Sequence, residues 1–298
     1  MPDTTNPLSS AFDPAAGSIL FIGTATVLIR CAGFTILTDP NFLHRHESVH
    51  LGYGLHSRRL TEPALSIEQL PALDLVVLSH FHEDHFDRVA EARLDRSLPV
   101  ITTPHAAARL EERGFEGAQA LRTWETHSMS RGPFGLGVTA LPGRHGPPIL
   151  SHLLPPVMGS MLDFTAGGQR LFRIYITGDT LTYPALAEIP RRYPDIDLML
   201  IHLGGTRVLG LLVTMDAEEG VECMRLVPAR TTIPIHYNDY TVFKSSLGEF
   251  QEAVHQAGLH ERVHYLANGE TYRFRIPPDR PGLTRLAAAA AQPSAPLH

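Results

Sequence analysis

Cysteine is nearly absent from this 298-residue chain, which has 2 cysteines against 17 histidines. Cys31 and Cys223 are far apart and neither lies in a paired Cys motif, so no disulfide framework is indicated, although the count permits a single bridge. Thiolate metal sites are equally short of donors, whereas imidazole and carboxylate sites are well supplied. No apolar run approaches the length of a membrane span. Residues 1–18 lack the basic and then apolar segments of a secretory signal, so a cytoplasmic location is expected. A basic surplus is missing too. The formal net charge of −6 argues against a general binder of phosphate backbones, and nucleic acid is not the expected partner.

What remains is a globular composition, 43% hydrophobic and 19% charged, enough to bury a core. The length suits one large domain or two small ones. Residues 1–17, rich in Pro, Ser, Thr and Ala, read as a flexible leader. Residues 277–298, rich in Pro and Ala, read as a disordered tail, leaving a single domain over 18–276. Apolar runs at 19–22, 25–30 and 34–37 predict strands, with a break at Gly23-Thr24 and a hairpin turn at Ala32-Gly33. Asp39-Pro40 is a turn signal. The loop that follows, to about Glu62, carries His44, His46, His50 and His56. Their irregular spacing reads as solvated side chains on a loop that borders a binding site. Helices are predicted over 86–94, 106–113, 181–189, 216–226 and 247–257, the fourth capped by Asp216. Strands are predicted over 99–102, 119–124, 137–141, 158–165, 170–177, 197–201, 231–235, 263–266 and 271–276. Strands and helices alternate in both halves, which gives an α/β chain with sheets covered by helices.

One stretch organises the rest. An apolar run at 73–78 leads into Ser79-His80-Phe81-His82-Glu83-Asp84-His85. Imidazoles and a carboxylate so close together are costly to pack unless something shares their lone pairs, and a divalent metal does so. His80 and His82, alternate residues on an extended loop, can serve one ion, with Asp84 and His85 turned toward another. Further candidates stand at the ends of predicted strands: His145 in Gly143-Arg144-His145-Gly146, Asp179 after Thr177-Gly178, and His236 after Ile235. Each alone reads as a structural residue, a turn or a cap. The set in this order is far more specific.

The pattern His80-x-His82-x-Asp84-His85, then His145, Asp179 and His236, resembles the metallo-β-lactamase-fold hydrolases over roughly residues 19–275. Ile36-Leu37-Thr38-Asp39-Pro40 is similar to one branch, that of the N-acyl phosphatidylethanolamine phospholipase D-like and ascorbate-6-phosphate lactonase-like proteins. The resemblance implies an αββα sandwich of two mixed sheets flanked by helices. It implies two divalent ions, zinc first and manganese or iron as alternatives. His80, His82 and His145 would hold one and Asp84, His85 and His236 the other, with Asp179 bridging. Asp39 would accept hydrogen bonds from behind the ligands; an Asp-Pro turn is the other reading of that residue. Gly23-Thr24-Ala25-Thr26 stands where the branch has Gly-His-Ala-Thr, and no His-Trp follows His145, so the substrate class does not transfer. Redox di-iron relatives carry Glu where His82 stands, which favours hydrolysis here. Zinc β-lactamases use a Cys on the second metal, which neither cysteine of this chain can supply.

The expected activity is hydrolysis of a phosphodiester or a lactone or other ester by a metal-bridging hydroxide. Asp84 and Asp179 are the catalytic candidates, Asp84 also as a proton shuttle. The partner expected is a small-molecule or lipid-like substrate. His202 and Tyr237 are candidates for contacting it, although structural roles serve both equally well. The charge-poor stretches at 149–161 and 208–213 suit either a hydrophobic pocket or core packing. An iron-dependent oxidoreductase or a metal-stabilised binding protein on the same fold are the alternatives. Glu83 has no assigned role.

Overall fold

The computed structural model describes residues 13–290 apart from 53, 55, 151 and 152. A seven-stranded sheet runs in the order Thr271–Arg275, Ala16–Gly23, Thr26–Cys31, Phe34–Thr38, Leu75–Val77, Val100–Thr102, Ala118–Ala120. Its first four strands are antiparallel and the remainder parallel. A six-stranded sheet runs Ala229–Ile235, Ile196–His202, Gln169–Ile176, Gly159–Ala166, Phe134–Leu141, Thr126–Arg131. There the first three strands are parallel and the others antiparallel.

Successive side chains of a strand point to opposite faces, so a strand buried on both sides reads as a continuous apolar run. The run at 19–22 behaves in this way. Ile19 and Phe21 join the core that the two sheets share, with Leu162, Phe164, Leu198 and Ile233. Leu20 and Ile22 face the other side, onto Phe86, Ala90, Leu110 and Phe115. These belong to or flank helices Arg88–Arg93 and Pro104–Glu111. Helices Ala217–Leu226 and Leu247–Gln256 cover the six-stranded sheet, through Val221, Met224, Phe250 and Val254. Asp216 caps the first of them by accepting from the Glu219 N–H, and Ser246 and Glu249 form a capping box on the second.

Several predicted elements come out differently. The predicted helix at 181–189 is a 3-10 turn, Pro184–Ala187, and a short helix, Glu188–Arg192. Pro184 keeps the preceding Tyr183 extended, so no helix starts before it, and Pro190 withholds the amide that an α-helix would pair with the Leu186 carbonyl. The edge strand Thr126–Arg131 is absent from the prediction because it is polar and largely exposed, so no apolar alternation marks it. The predicted strand at 263–266 is reduced to a bridge between Val263 and Thr232. The stretch predicted as a disordered tail contains a helix, Pro281–Ala290, and the first sheet starts at Ala16, inside the predicted leader. Arg280, buried beside that helix, donates to the buried Asp197 carboxylate and anchors it. The rest of the predicted leader and tail, 1–12 and 291–298, lies outside the described residues.

Phe164 is fully buried between the sheets, its ring 6.5 Å from that of Phe34. Phe164→Ala removes the ring from the interior and is expected to destabilise the protein by about 3–5 kcal/mol. The urea unfolding midpoint measures this, and a loss below 1 kcal/mol would contradict a tightly packed inter-sheet core.

Candidate metal centre

Parallel strands bring their carboxyl ends to one edge of a sheet, and loops leaving that edge converge. Asp39 follows Phe34–Thr38, Ser79 and His80 follow Leu75–Val77, and Asp179 follows Gln169–Ile176. His202 ends Ile196–His202, and His236 follows Ala229–Ile235. His145 comes from the loop after Phe134–Leu141. Beyond His80 the chain makes a tight turn, the His82 carbonyl accepting from His85 N–H at 3.0 Å and Phe86 N–H at 2.7 Å. Asp87 then caps the next helix by accepting from Ala90 N–H at 2.8 Å. The turn gathers His80, His82, Asp84 and His85 at one place.

The structure brings the ligand candidates together in overlapping trios. His80, His82 and His145 form one; Asp84, His85 and His236 form another; Asp179 stands with His80 and His85. Within each trio the offered atoms lie within 4.8 Å of one another. His80 Nε2 is 3.0 Å from His82 Nδ1. Nitrogens sharing one zinc at about 2.0–2.1 Å would stand about 3–3.5 Å apart. Asp179 Oδ2 is 3.4 Å from His85 Nε2, and Asp84 Oδ2 is 3.5 Å from His236 Nε2.

The far sides of four of the rings are committed. His145 Nδ1 donates to the Val213 carbonyl at 2.9 Å, and His236 Nδ1 to the Leu203 carbonyl at 3.0 Å. His80 Nδ1 meets Ser79 Oγ at 2.9 Å, and that hydroxyl donates to Asp39 Oδ1 at 2.8 Å. His85 Nδ1 lies 3.2 Å from the same Asp39 oxygen. Each arrangement fixes a tautomer with its Nε2 lone pair turned inward. On that inner side His85 Nε2, His236 Nε2, Asp84 Oδ1 and Asp179 Oδ1 are buried and have no hydrogen-bond partner. An unsatisfied buried polar atom costs about 1–3 kcal/mol, and divalent cations would satisfy all of these. The residues fit a metal pair.

The electrostatics are those of ligands lacking their cations. Burial pushes the His80 imidazole well below its ordinary value, helped by neighbouring His85, and pushes His82 down to about 3. Burial would do the same to His85, but the Asp179 and Asp84 carboxylates outweigh it and hold that imidazole well above its ordinary value. His236 is raised in the same way, chiefly by Asp179. Burial alone would raise Asp179, yet His236 and His85 hold it well below the usual carboxylate range.

His202 and Tyr237 are placed elsewhere. His202 is fully buried behind the trios, hydrogen-bonded through Nδ1 to Thr177 Oγ1 at 3.2 Å, with Nε2 3.7 Å from Asp39 Oδ2. Tyr237 spends its hydroxyl on the Leu266 carbonyl at 3.1 Å. Neither lines the cleft at the centre, whose walls include His82, Asp84, His145 and Asp179. Sequence reasoning missed Ser79, Thr214 and the Val213 and Leu203 carbonyls. Thr214 donates to Asp179 Oδ2 at 3.2 Å. Ser79 stood in the motif as a potential donor, whereas a backbone carbonyl leaves no mark in a sequence.

The description that matches residues 35–237 is that of the beta-lactamase superfamily domain. The chain belongs to the beta-lactamase superfamily. Its two mixed sheets with flanking helices are the metallo-β-lactamase fold. Among curated superfamily relatives it is similar to a UPF0173 metal-dependent hydrolase of Carboxydothermus hydrogenoformans, 28% identical over 82% of this chain and 95% of that one. Among solved structures it resembles the isothiocyanate hydrolase from Delia radicum gut bacteria. That likeness has a TM-score of 0.74 at 22% identity and covers 87% of this chain and 99% of the other. Igni18, a metallo hydrolase of Ignicoccus hospitalis, superposes with a TM-score of 0.66 at 20% identity over 88% and 100% of the two chains.

Two outcomes follow from this geometry. Asp39→Asn keeps the shape but weakens acceptance from Ser79 and His85, and is expected to lower zinc affinity about 10–100-fold, measured by chelator competition. Unchanged affinity would show that Asp39 does not orient the ligands. Metal uptake should also release protons, because the Asp179 and Asp84 carboxylates favour the protonated forms of His85 and His236, and an imidazole must lose that proton to ligate. Apparent affinity should therefore fall as pH falls. Calorimetry in buffers of differing ionisation enthalpy counts the protons, and a count of zero would contradict the assignment.

Proposed function

We propose that the chain is a dinuclear metal-dependent hydrolase, with zinc as the metal, acting on a phosphodiester or on a lactone or other ester. His80, His82 and His145 would hold one ion, Asp84, His85 and His236 the other, with Asp179 between them. The observation that carries this reading is the convergence of unpaired buried ligand atoms, His85 Nε2, His236 Nε2, Asp84 Oδ1 and Asp179 Oδ1, at one point beside a cleft. Bound divalent cations supply Lewis acidity and lower the pKa of a coordinated water from about 15.7 toward about 7. The chain's own residues do the rest. Val213, Leu203, Ser79 and Asp39 hold the imidazoles in their tautomers. Thr214 orients the Asp179 carboxylate. Asp84 lines the cleft, so a carboxylate oxygen not taken by a cation could carry a proton to a leaving group. The names of the metal-dependent hydrolase relatives, and the absence of a Glu at position 82, favour hydrolysis over redox chemistry.

Asp179→Ala and His82→Ala are expected to lower turnover at least 1,000-fold while circular dichroism and the unfolding transition remain cooperative. A screen of the zinc- and manganese-loaded protein against bis-p-nitrophenyl phosphate, lactones, thioesters, isothiocyanates and nitrocefin identifies the reaction. Full activity in metal-depleted Asp179→Ala would overturn the mechanism. Retention of iron with a redox-active spectrum would overturn the zinc assignment.

A further inference from the structure

The cleft beside the metal centre has two kinds of wall. Polar lining comes from His82, Asp84, His145, Asp179, Thr206 and Thr214. Apolar lining comes from Leu51, Leu154, Val208 and Val213. No lysine or arginine lines it among the described residues. The cationic neighbours in sequence are engaged elsewhere. Arg144, beside His145, lies over the Tyr183 ring at 4.4 Å. Arg207, between Thr206 and Val208, belongs to the two-residue strand Arg207–Val208, so alternation turns it to the opposite face, where it pairs with Asp216 at 3.4 Å. Lys244 donates to the Thr241 carbonyl at 2.9 Å.

The apolar side is built into the local backbone. Gly146, immediately after His145, has φ +76°, and a Cβ there would meet Leu154 at 2.9 Å and Val213 at 3.1 Å. The glycine thus lets both side chains close on the main chain next to a ligand. Leu51 is brought to the cleft because Glu83 Oε2 accepts from the neighbouring His50 N–H at 2.6 Å. The apolar character continues outward at Leu209, 86% exposed, beside Val208.

An anionic substrate needs positive charge where it binds. The carboxylates of Asp39, Asp84 and Asp179 offset most of the charge that two divalent cations would bring, and the walls add none. We infer that the cleft selects an uncharged substrate, a neutral ester or lactone carrying an apolar group beside the scissile bond, over a phosphodiester anion. This deepens the hydrolase reading above and rests on it for the two cations as well as the substrate. Val208 and Leu154 are the residues that set the preference.

The test uses the zinc-loaded full chain. With p-nitrophenyl acetate, butyrate and hexanoate, KM should fall about two- to fourfold per added methylene, and kcat/KM for bis-p-nitrophenyl phosphate should lie at least 100-fold below that for the hexanoate. Val208→Lys and Leu154→Lys should raise the hexanoate KM about tenfold and narrow the gap to the phosphodiester. Calorimetry with uncleavable N-butyl and N-hexyl acetamide against diethyl phosphate reads the same preference without turnover. Amide affinity should grow with chain length and be lost in Val208→Lys. A KM independent of chain length, or diethyl phosphate binding more tightly than both amides, would overturn the inference. Chain-length-dependent amide binding with no ester or phosphodiester cleaved would instead overturn the hydrolase reading and leave the cleft's preference standing.

Discussion

A carboxylate removed from water dictates the arrangement of this site. Asp39 is buried and accepts from both the backbone and the hydroxyl of Ser79 at 2.8 Å, with His85 and His202 against its oxygens. Burial would raise such a carboxyl, but the neighbouring His202 and His85 imidazoles outweigh it and hold the group below the usual carboxylate range. A buried charge is tolerated only when paired and hydrogen-bonded, so none of these partners is free to move. Asp39 also has φ +35°, a conformation that costs a non-glycine residue about 1–2 kcal/mol. That strain is held by pairing on both sides, since Asp39 N–H donates to the Val77 carbonyl and its own carbonyl accepts from Thr26.

The centre is divided between the sheets. The seven-stranded sheet contributes the segment from His80 to His85, and the six-stranded sheet contributes His145, Asp179 and His236. No trio that includes both halves can form until the sheets pack, so ligand geometry and the shared apolar core are coupled. His236 crosses that boundary. Its N–H donates to the Thr24 carbonyl of the other sheet at 2.6 Å, its ring to Leu203, and its φ is +62°. Thr24 therefore serves through its main chain, its N–H held by Asp239 at 2.5 Å.

The histidine-rich loop acquires a role of a different kind. His50 and His56 pair across a short hairpin, Ser48–His50 with His56–Arg58, their rings 4.8 Å apart. His44 lies 2.9 Å from Glu62 on the surface. Glu83, to which the motif gave nothing, tethers this hairpin, and its carbonyl accepts from Asn41 at 2.9 Å. Beneath lies Arg59, fully buried, donating to Asn41 and Thr61 with the Tyr240 ring beside it. The loop is thus fastened by polar contacts, and its Leu51 lines the cleft.

The sequence alone made the inner strands legible, because a strand buried on both faces must be written in consecutive apolar residues, as at 19–22 and 198–201. It also made the candidate donors legible, since no other stretch places imidazole and carboxylate at that spacing, and His145, Asp179 and His236 stand in order at strand ends. It could not determine the polar edge strand Thr126–Arg131, nor the helix Pro281–Ala290, which holds to the sheet beside the buried Arg280–Asp197 pair rather than through a strong sequence signal. The far-side partners of the histidines were equally hidden. Carbonyls of Val213 and Leu203 carry no side-chain signature, and only the folded chain aims them. His202 shows the same limit in reverse. Its place at a strand end suited a cleft residue, yet the packing of Thr177 and Asp39 around it turned the ring inward, because a buried imidazole goes where its hydrogen bonds are.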